Sequence, residues 1–370
     1  MATIGVVGLG AMGLGIAQVF AAAGFATIAT DAHGPARDSA ITRMSESLAP
    51  RVAEGKLSAA DRDSTLANLK VVETLADFAP CDLVIEAIVE RADAKQALFV
   101  QLESIVAGTT ILATNTSSIS VATIASTAKI PERILAMHFF NPPTAMKLVE
   151  LAPHSSTSAD ALALARSLAE AAGKTVVQCP DRPGFIVNRC ARPYYGEALA
   201  LLEEGVTATH IDAAMLAAGY RLGPFALIDL IGADINLAAT LGLGAAMNNH
   251  PRYYAFAALR GQVAAGHLGR KSGQGFTFPA KTDAAADPAI VLRIEATLVN
   301  EAAWLLAEGG TSAQGIDTAM QLGLNFPRGP FQALAQHGKP TILATLADLE
   351  AAAPPFLKTR YLPAPALEIS

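Results

Sequence analysis

Apolar positions along the chain follow two different spacings, and the change falls near residue 183. Upstream, short runs rich in Val, Ile and Thr alternate with Ala-rich stretches of helical period, the alternation expected of a parallel sheet with crossover helices. Strands are expected at residues 3–7, 26–30, 70–72, 83–87, 112–114, 133–137 and 174–178, and helices at 15–23, 37–54, 59–68 and 162–172. Two helices stand between the second and third strands, where a simple crossover needs one, so something extra is grafted there. The turn Pro180-Asp181-Arg182-Pro183-Gly184 closes this part, and a long helix over 185–203 opens the next.

The downstream half repeats itself. Ile186-Val187-Asn188-Arg189 matches Ile290-Val291-Leu292-Arg293, Ile211-Asp212 matches Ile316-Asp317, and Gly223-Pro224-Phe225 matches Gly329-Pro330-Phe331, so that 197–225 recurs as 301–331. Asn188 becomes Leu292 in the second copy, which keeps the packing residues and lacks the amide; its expected job is structural. Residues 280–288 read as a linker, and 351–370, with four prolines, as an extended tail. The expected organisation is an α/β domain over 1–182, an all-α domain over 183–279, a second, degenerate copy of it over 288–350, and the tail 351–370.

Composition adds limits rather than chemistry. The 370 residues are 52% apolar, with a mean hydropathy of +0.36, enough to fill more than one core. A net charge of -6 argues against a surface for nucleic acid or an anionic membrane, apart from local basic patches. Cys81, Cys179 and Cys190 are odd in number and lack metal-type spacing, so neither a disulfide framework nor a metal site is expected, and a reducing cytoplasm fits best. Met1 is followed almost at once by a strand, which leaves no room for a signal segment, and no apolar run is long enough to span a bilayer. A soluble chain is expected.

The candidate chemistry begins where the first strand ends. Gly8-Leu9-Gly10-Ala11-Met12-Gly13 lies between a strand and a helix: Gly8 permits the tight turn, Gly10 lets a pyrophosphate approach the backbone, and Gly13 allows close helix packing. The second strand ends at Asp31, whose carboxylate would accept hydrogen bonds from ribose hydroxyls and repel a 2′-phosphate, which favours NAD over NADP. These features make the first domain a Rossmann-type one. Ser47 and Lys56 lie on or beside the grafted excursion, where they face either a phosphate-bearing substrate tail or solvent. Asp31, Glu90, Ser117 and His138 all fall at the carboxyl ends of expected strands, where ligands gather in an open parallel sheet. His138, followed by Glu150, supplies a base and a group able to orient it.

Taken in order, the glycine loop, Glu86-Ala87-Ile88-Val89-Glu90, Asn115-Thr116-Ser117-Ser118, His138-Phe139-Phe140-Asn141-Pro142 with 147–150, Pro183-Gly184-Phe185-Ile186-Val187-Asn188-Arg189 and Gly269-Arg270-Lys271-Ser272-Gly273 resemble the NAD-dependent L-3-hydroxyacyl-CoA dehydrogenases. The resemblance implies that His138 is the catalytic base and Glu150 its orienting partner, with Ser117 and Asn188 at the reacting oxygen. It implies that Asp31, Glu90, Lys95, Asn141 and Lys271 contact NAD and that Ser47 and Lys56 contact the coenzyme A of an acyl-CoA substrate; the position of Asn188 in the first turns of the helix over 185–203 would set it over the mouth of the sheet. It implies a homodimer or, with the second copy in the partner's place, a pseudo-dimeric monomer. The chain departs from the family at Thr277, where an aromatic is more usual. Two readings stand for Arg192: a reader of an acidic end on the acyl group, and a structural ion pair. The alternatives are a dehydrogenase of free hydroxy acids, of the gulonate or carnitine kind, and an NAD(H)-binding protein without catalysis. A β-hydroxyacid dehydrogenase shares the glycine loop, but its catalytic lysine in a glycine-rich helix start has no counterpart here.

Overall fold

The structure, a computed structural model, describes residues 2–280 and 282–368. The chain divides into two compact units between Arg182 and Pro183. The first is built on one sheet of eight strands: β1 (Thr3–Val7), β2 (Ala26–Thr30), β3 (Leu69–Val71), β4 (Leu83–Glu86), β5 (Ile111–Thr114), β6 (Ile134–Phe139), β7 (Leu148–Pro153) and β8 (Thr175–Gln178). Their order is β3-β2-β1-β4-β5-β6-β7-β8, with every neighbouring pair parallel except β6 and β7. Helices α1 (Ala11–Ala22), α2 (Gly34–Asp38), α3 (Ala40–Ala53), α4 (Ala59–Ala67), α5 (Ala92–Glu103), α6 (Val121–Ala125) and α7 (Ala159–Ala171) connect the strands. Strands covered on both faces read as continuous apolar runs. Accordingly Ile4, Val6, Ile85, Ala113 and Met137 share one core with Ile16 and Phe20 of α1. The crossover reverses direction between β1 and β4, and ligands of such sheets sit at that point.

The first unit departs from expectation in three places. Helix α1 starts at Ala11, four residues before the expected 15, because Gly13 and Gly15 depress helical propensity yet serve packing: a Cβ on Gly13 would lie 1.8 Å from the Gly8 carbonyl oxygen. The sheet gains β7, a strand unanticipated within 147–150. Strand β6 runs on to Phe139, so His138 belongs to the strand and pairs in register with Glu150.

The second unit is helical: α8 (Val187–Cys190), α9 (Arg192–Glu203), α10 (Ala208–Ala217), α11 (Pro224–Ile231), α12 (Ala233–Ala246), α13 (Ala257–Ala264), α14 (Pro288–Ala307), α15 (Ala313–Leu324), α16 (Pro330–His337), α17 (Lys339–Ala352) and α18 (Pro365–Glu368). The long helix expected over 185–203 is broken: Phe185 has φ 44°, and α8 ends before α9 begins. Pro193 is the cause, since its ring removes a backbone donor and crowds the carbonyl four residues back.

Helices α9 and α14 are buried along most of their length, and α8 and α9 are tied to α14 by ion pairs. Arg189 meets Glu301 and Glu308, each at 2.7 Å, while Arg293 meets Glu197 at 2.8 Å and Glu204 at 2.6 Å. Asp212 and Asp317 play matching parts, accepting the N–H groups of Phe225 and Ala226 and of Phe331 and Gln332 at the starts of α11 and α16. A Cβ on Gly223 or Gly329 would lie 2.3 Å from those aspartates, so only glycine fits before each Pro-Phe pair.

The tail expected to be extended is packed instead. Arg360 and Tyr361 are buried against Glu197, and Asn300 of α14 binds the backbone of Leu362 and Ala364. The prolines stop regular helices, but the apolar residues between them still find a face to cover. Ile369 and Ser370 of that expected tail, Lys281 of the expected linker, and Met1 lie outside the described residues. Within the linker, Asp287 caps α14 by accepting the N–H groups of Ala289 and Ile290. Among the described residues no single helix is long and apolar enough to cross a membrane.

Candidate active site

The glycine loop is shaped by close approaches on one side and open space on the other. Gly8 has φ 101°, and a Cβ there would lie 2.5 Å from the Ala87 carbonyl oxygen; at Gly10 a Cβ would meet nothing within 4 Å. The open side of Gly10 leads to the start of α1, which has no side-chain cap and no acidic residue in its first turn. Free N–H groups and the helix dipole there suit an anion. Asp31, half-buried at the end of β2, fastens the loop: one carboxylate oxygen accepts the Leu9 N–H at 2.6 Å and the other the His33 N–H at 2.8 Å. Arg37 and Arg43 add bonds to the carbonyls of Asp31 and Leu9. Neither arginine was legible as a site residue, since a basic side chain in a helical excursion looks like a solvated face.

At the ends of β4 and β5 stands a charged cluster of which the sequence showed only part. Lys95 is 1% exposed, and its ammonium lies 2.7 Å from Glu86 and 3.1 Å from Glu90. Glu86 is wholly buried and also accepts the Ile88 N–H and the Thr114 hydroxyl. Glu90 accepts the Thr116 hydroxyl at 2.6 Å and the Ser117 N–H at 3.0 Å. Burial raises the Glu90 pKa, but the Thr116 hydroxyl, the Lys95 charge and the Ser117 N–H outweigh it and hold the carboxyl below its ordinary range. Glu90, Lys95 and Ser117 are thus brought together, with Lys95 sealed between two carboxylates. Removing one member of such a buried pair strands the other. Lys95→Met should therefore destabilise the fold by about 3–5 kcal/mol, read from the urea midpoint, and the double variant Glu86→Gln, Lys95→Met should recover much of the loss.

His138 and Glu150 face each other across the antiparallel β6–β7 pair, with Nδ1 at 2.7 Å from Oε2. The imidazole is 7% exposed and the carboxylate 0%. With Nδ1–H donating to the buried carboxylate, Nε2 is the acceptor, the tautomer a general base needs. The side-chain oxygen of Asn115 binds the Phe139 N–H at 2.8 Å and ties the end of β6 to the loop after β5. The Phe140 ring lies 4.6 Å from the imidazole, and Asn141 follows, exposed, beyond the strand.

Against known proteins, the family model described as "3-hydroxyacyl-CoA dehydrogenase, NAD binding domain" matches residues 3–182, and the corresponding "C-terminal domain" matches 184–278 and again 290–368. The chain belongs to the 3-hydroxyacyl-CoA dehydrogenase family. It is 34% identical to a 3-hydroxyadipyl-CoA dehydrogenase of Escherichia coli over 94% of this chain and 93% of the relative. A probable 3-hydroxybutyryl-CoA dehydrogenase of Deinococcus radiodurans is 40% identical over 74% of this chain and 98% of its own. Among solved structures, 3-hydroxybutyryl-CoA dehydrogenase from E. coli K12 superposes with a TM-score of 0.92 at 34% identity, over 99% of this chain and 97% of that one.

This member of the family is accordingly an NAD-dependent oxidoreductase with 3-hydroxyacyl-CoA dehydrogenase activity. The close approaches at Gly8 and Gly13, the open side of Gly10 and the carboxylate of Asp31 fit that cofactor. The remaining expected site residues of the dehydrogenase are more dispersed. Ser47, on α3, donates to Gln18 and to the Met44 carbonyl, both at 2.8 Å; Lys56 is exposed and pairs with Glu54 at 2.7 Å. In the second unit, Asn188 is half-buried on α8, and Lys271 meets Asp234 at 2.5 Å. Thr277 has a local reason: its N–H and hydroxyl both reach Asp229, at 2.8 Å and 3.2 Å. Arg192 has no carboxylate partner among the described residues, which corrects the reading of it as half of an ion pair.

Proposed function

We propose that this chain oxidises (S)-3-hydroxyacyl-CoA reversibly to 3-oxoacyl-CoA, with His138 as general base and Glu150 as the group that orients it. The observation that carries the assignment is the His138–Glu150 contact of 2.7 Å, held by strand register at the carboxyl end of β6. In the forward direction Nε2 takes the hydroxyl proton while hydride leaves the carbon that bears the oxygen, and the C–O bond becomes a carbonyl. NAD, when bound, supplies the hydride acceptor. Glu150 stabilises the imidazolium that forms and returns the same tautomer when the proton leaves. In reduction His138 begins protonated and donates. Ser117 and Asn188 contact the substrate oxygen; neither side chain has a hydrogen-bonding partner within the described residues, so both are available to a ligand.

Gly8, Gly10 and Gly13 cradle the pyrophosphate and Asp31 the ribose, with Glu90, Asn141 and Lys271 as further cofactor contacts. Lys95 acts through the carboxylate of Glu90. Ser47 and Lys56 receive the coenzyme A portion. The domains run 1–182, 183–279 and 288–350, the last being a degenerate copy of the second. Three observations support that duplication: the C-terminal family model matches twice, Arg189 and Arg293 reach across to each other's glutamates, and Asp212 and Asp317 cap matching helices. Contacts in which one residue reaches a second and the equivalent of the second reaches the equivalent of the first are those of a two-fold interface. The copy therefore stands where a second subunit would, giving a pseudo-dimer within one chain.

The test is a substrate panel followed by NADH absorbance. Hydroxyacyl-CoA thioesters should be oxidised with NAD, and much more slowly with NADP. Turnover of free hydroxy acids in preference to thioesters, or tight NADH binding without turnover of either, would contradict the proposal.

A further inference from the structure

Arg192 is 8% exposed, and every partner it has among the described residues is uncharged. Its Nε donates to the Asn188 carbonyl at 3.1 Å, and Nη1 donates to the Thr240 hydroxyl at 3.1 Å and to the Asn236 carbonyl at 3.5 Å. The Tyr195 ring lies 4.9 Å from the guanidinium carbon. Nη2 makes no hydrogen bond among the described residues, Nε and Nη1 taking the contacts above. Two other buried arginines of the same unit are built differently: Arg189 and Arg360 each meet at least one carboxylate. Charged groups are rarely left buried without a counter-charge, because desolvation is then uncompensated. Burial accordingly holds the Arg192 guanidinium below the usual arginine range.

A second group beside it is also unsatisfied. Asn236 is 2% exposed, and both Oδ1 and Nδ2 of its side chain are buried without a partner. Its backbone carbonyl receives Arg192 and the Thr240 hydroxyl, so the orphaned amide and the unpaired guanidinium belong to adjoining residues of α9 and α12. Buried amides in folded proteins are nearly always bonded, and an exception asks for a missing partner. A carboxylate supplies the absent negative charge and two planar acceptor oxygens, which match the guanidinium fork and can accept from the Asn236 Nδ2.

We propose that Arg192, Asn236 and Thr240 form the subsite for a carboxylate at the far end of the acyl group, so that the preferred substrates are 3-hydroxyacyl-CoA thioesters of dicarboxylic acids. This rests on the assignment of Asn188 to the reacting end of the substrate, because the guanidinium is bonded to the Asn188 backbone and stands about one helical turn along from its amide. A terminal methyl in the same place leaves the guanidinium and the amide unsatisfied. Polar subsites reject analogues that lack their partner for that reason.

The experiment compares two six-carbon 3-hydroxyacyl-CoA thioesters, one ending in carboxylate and one in methyl, with NAD, for the wild type, Arg192→Met and Asn236→Leu. The wild type should favour the carboxylate by about 30-fold or more in kcat/KM, mainly through KM, the scale set by one buried charged contact. Arg192→Met should bring the ratio to within a few-fold of one, and Asn236→Leu should lower it part of the way. Asn236→Leu replaces a partnerless buried amide by an apolar side chain of similar size, so the preference can be read even where Arg192→Met does not accumulate. Equal use of both thioesters by the wild type, or an unchanged preference in both variants, overturns the subsite and leaves the dehydrogenase assignment standing. Failure to turn over either thioester overturns both.

Discussion

His138→Gln should lower turnover of 3-hydroxyacyl-CoA by about 10²–10⁴-fold while changing the affinity for NADH little. Glutamine keeps roughly the size of the side chain and can still hydrogen-bond Glu150, so the end of β6 should survive. What it lacks is a nitrogen that accepts a proton near neutral pH. The glycine loop and Asp31 lie at the ends of β1 and β2, and strands β4 and β5 stand between β1 and the β6 strand that carries His138. Glu150→Gln should cost a comparable factor by another route. An amide that donates to Nδ1 places the ring proton on Nε2, the nitrogen that has to accept, and in triad enzymes the wrong tautomer costs on the order of 10⁴. Steady-state NADH formation, paired with NADH titration, checks both variants; wild-type rates in either would remove that residue from the reaction.

The second large effect should follow from ending the chain at residue 280. Helix α14 buries Ile294, Leu298, Val299 and Leu305, and its loss uncovers the apolar face of α9. It also removes Glu301 and Glu308 from Arg189, which is 0% exposed, and Arg293 from Glu197, also 0% exposed. A stranded buried charge costs about 3–5 kcal/mol, a large part of the net stability of a domain. The truncated chain should accumulate in the insoluble fraction, or unfold at a much lower urea concentration. A soluble, monomeric and fully active fragment would contradict the structural role of the second copy.

The parts of this account that were legible in the sequence share one property: they are local. The glycine loop, Asp31 after β2, and His138 near a strand end each show their chemistry within a few residues of a recognisable element. The remainder depends on pairs distant in sequence. Glu86 closes an apolar strand and looked like part of a motif, and only burial beside Lys95 shows it to be half of an ion pair. Strand β7 is too mixed in pattern to stand out alone, and it exists because β6 offers an edge to pair with. The break before α9 was signalled by Pro193 but hidden by the helical period on either side. The last twenty residues looked extended because prolines forbid regular helix, whereas Arg360 and Tyr361 are drawn to a buried Glu197 far earlier in the chain. Arg192 was ambiguous for the same reason: an ion pair is the ordinary fate of a buried arginine, and the absence of one appears only once its neighbours are placed.

Catalysis by this chain turns on the imidazole of His138, held by Glu150, exchanging a proton with the substrate oxygen. A crystal structure of the wild type with NADH and a 3-oxoacyl-CoA tests it most directly. The keto oxygen should lie at hydrogen-bond distance from Nε2, about 2.6–3.2 Å, with Nδ1 still on Glu150 and the nicotinamide against the carbonyl carbon. A keto group seated against other side chains, with His138 turned away from it, would rule out His138 as the base.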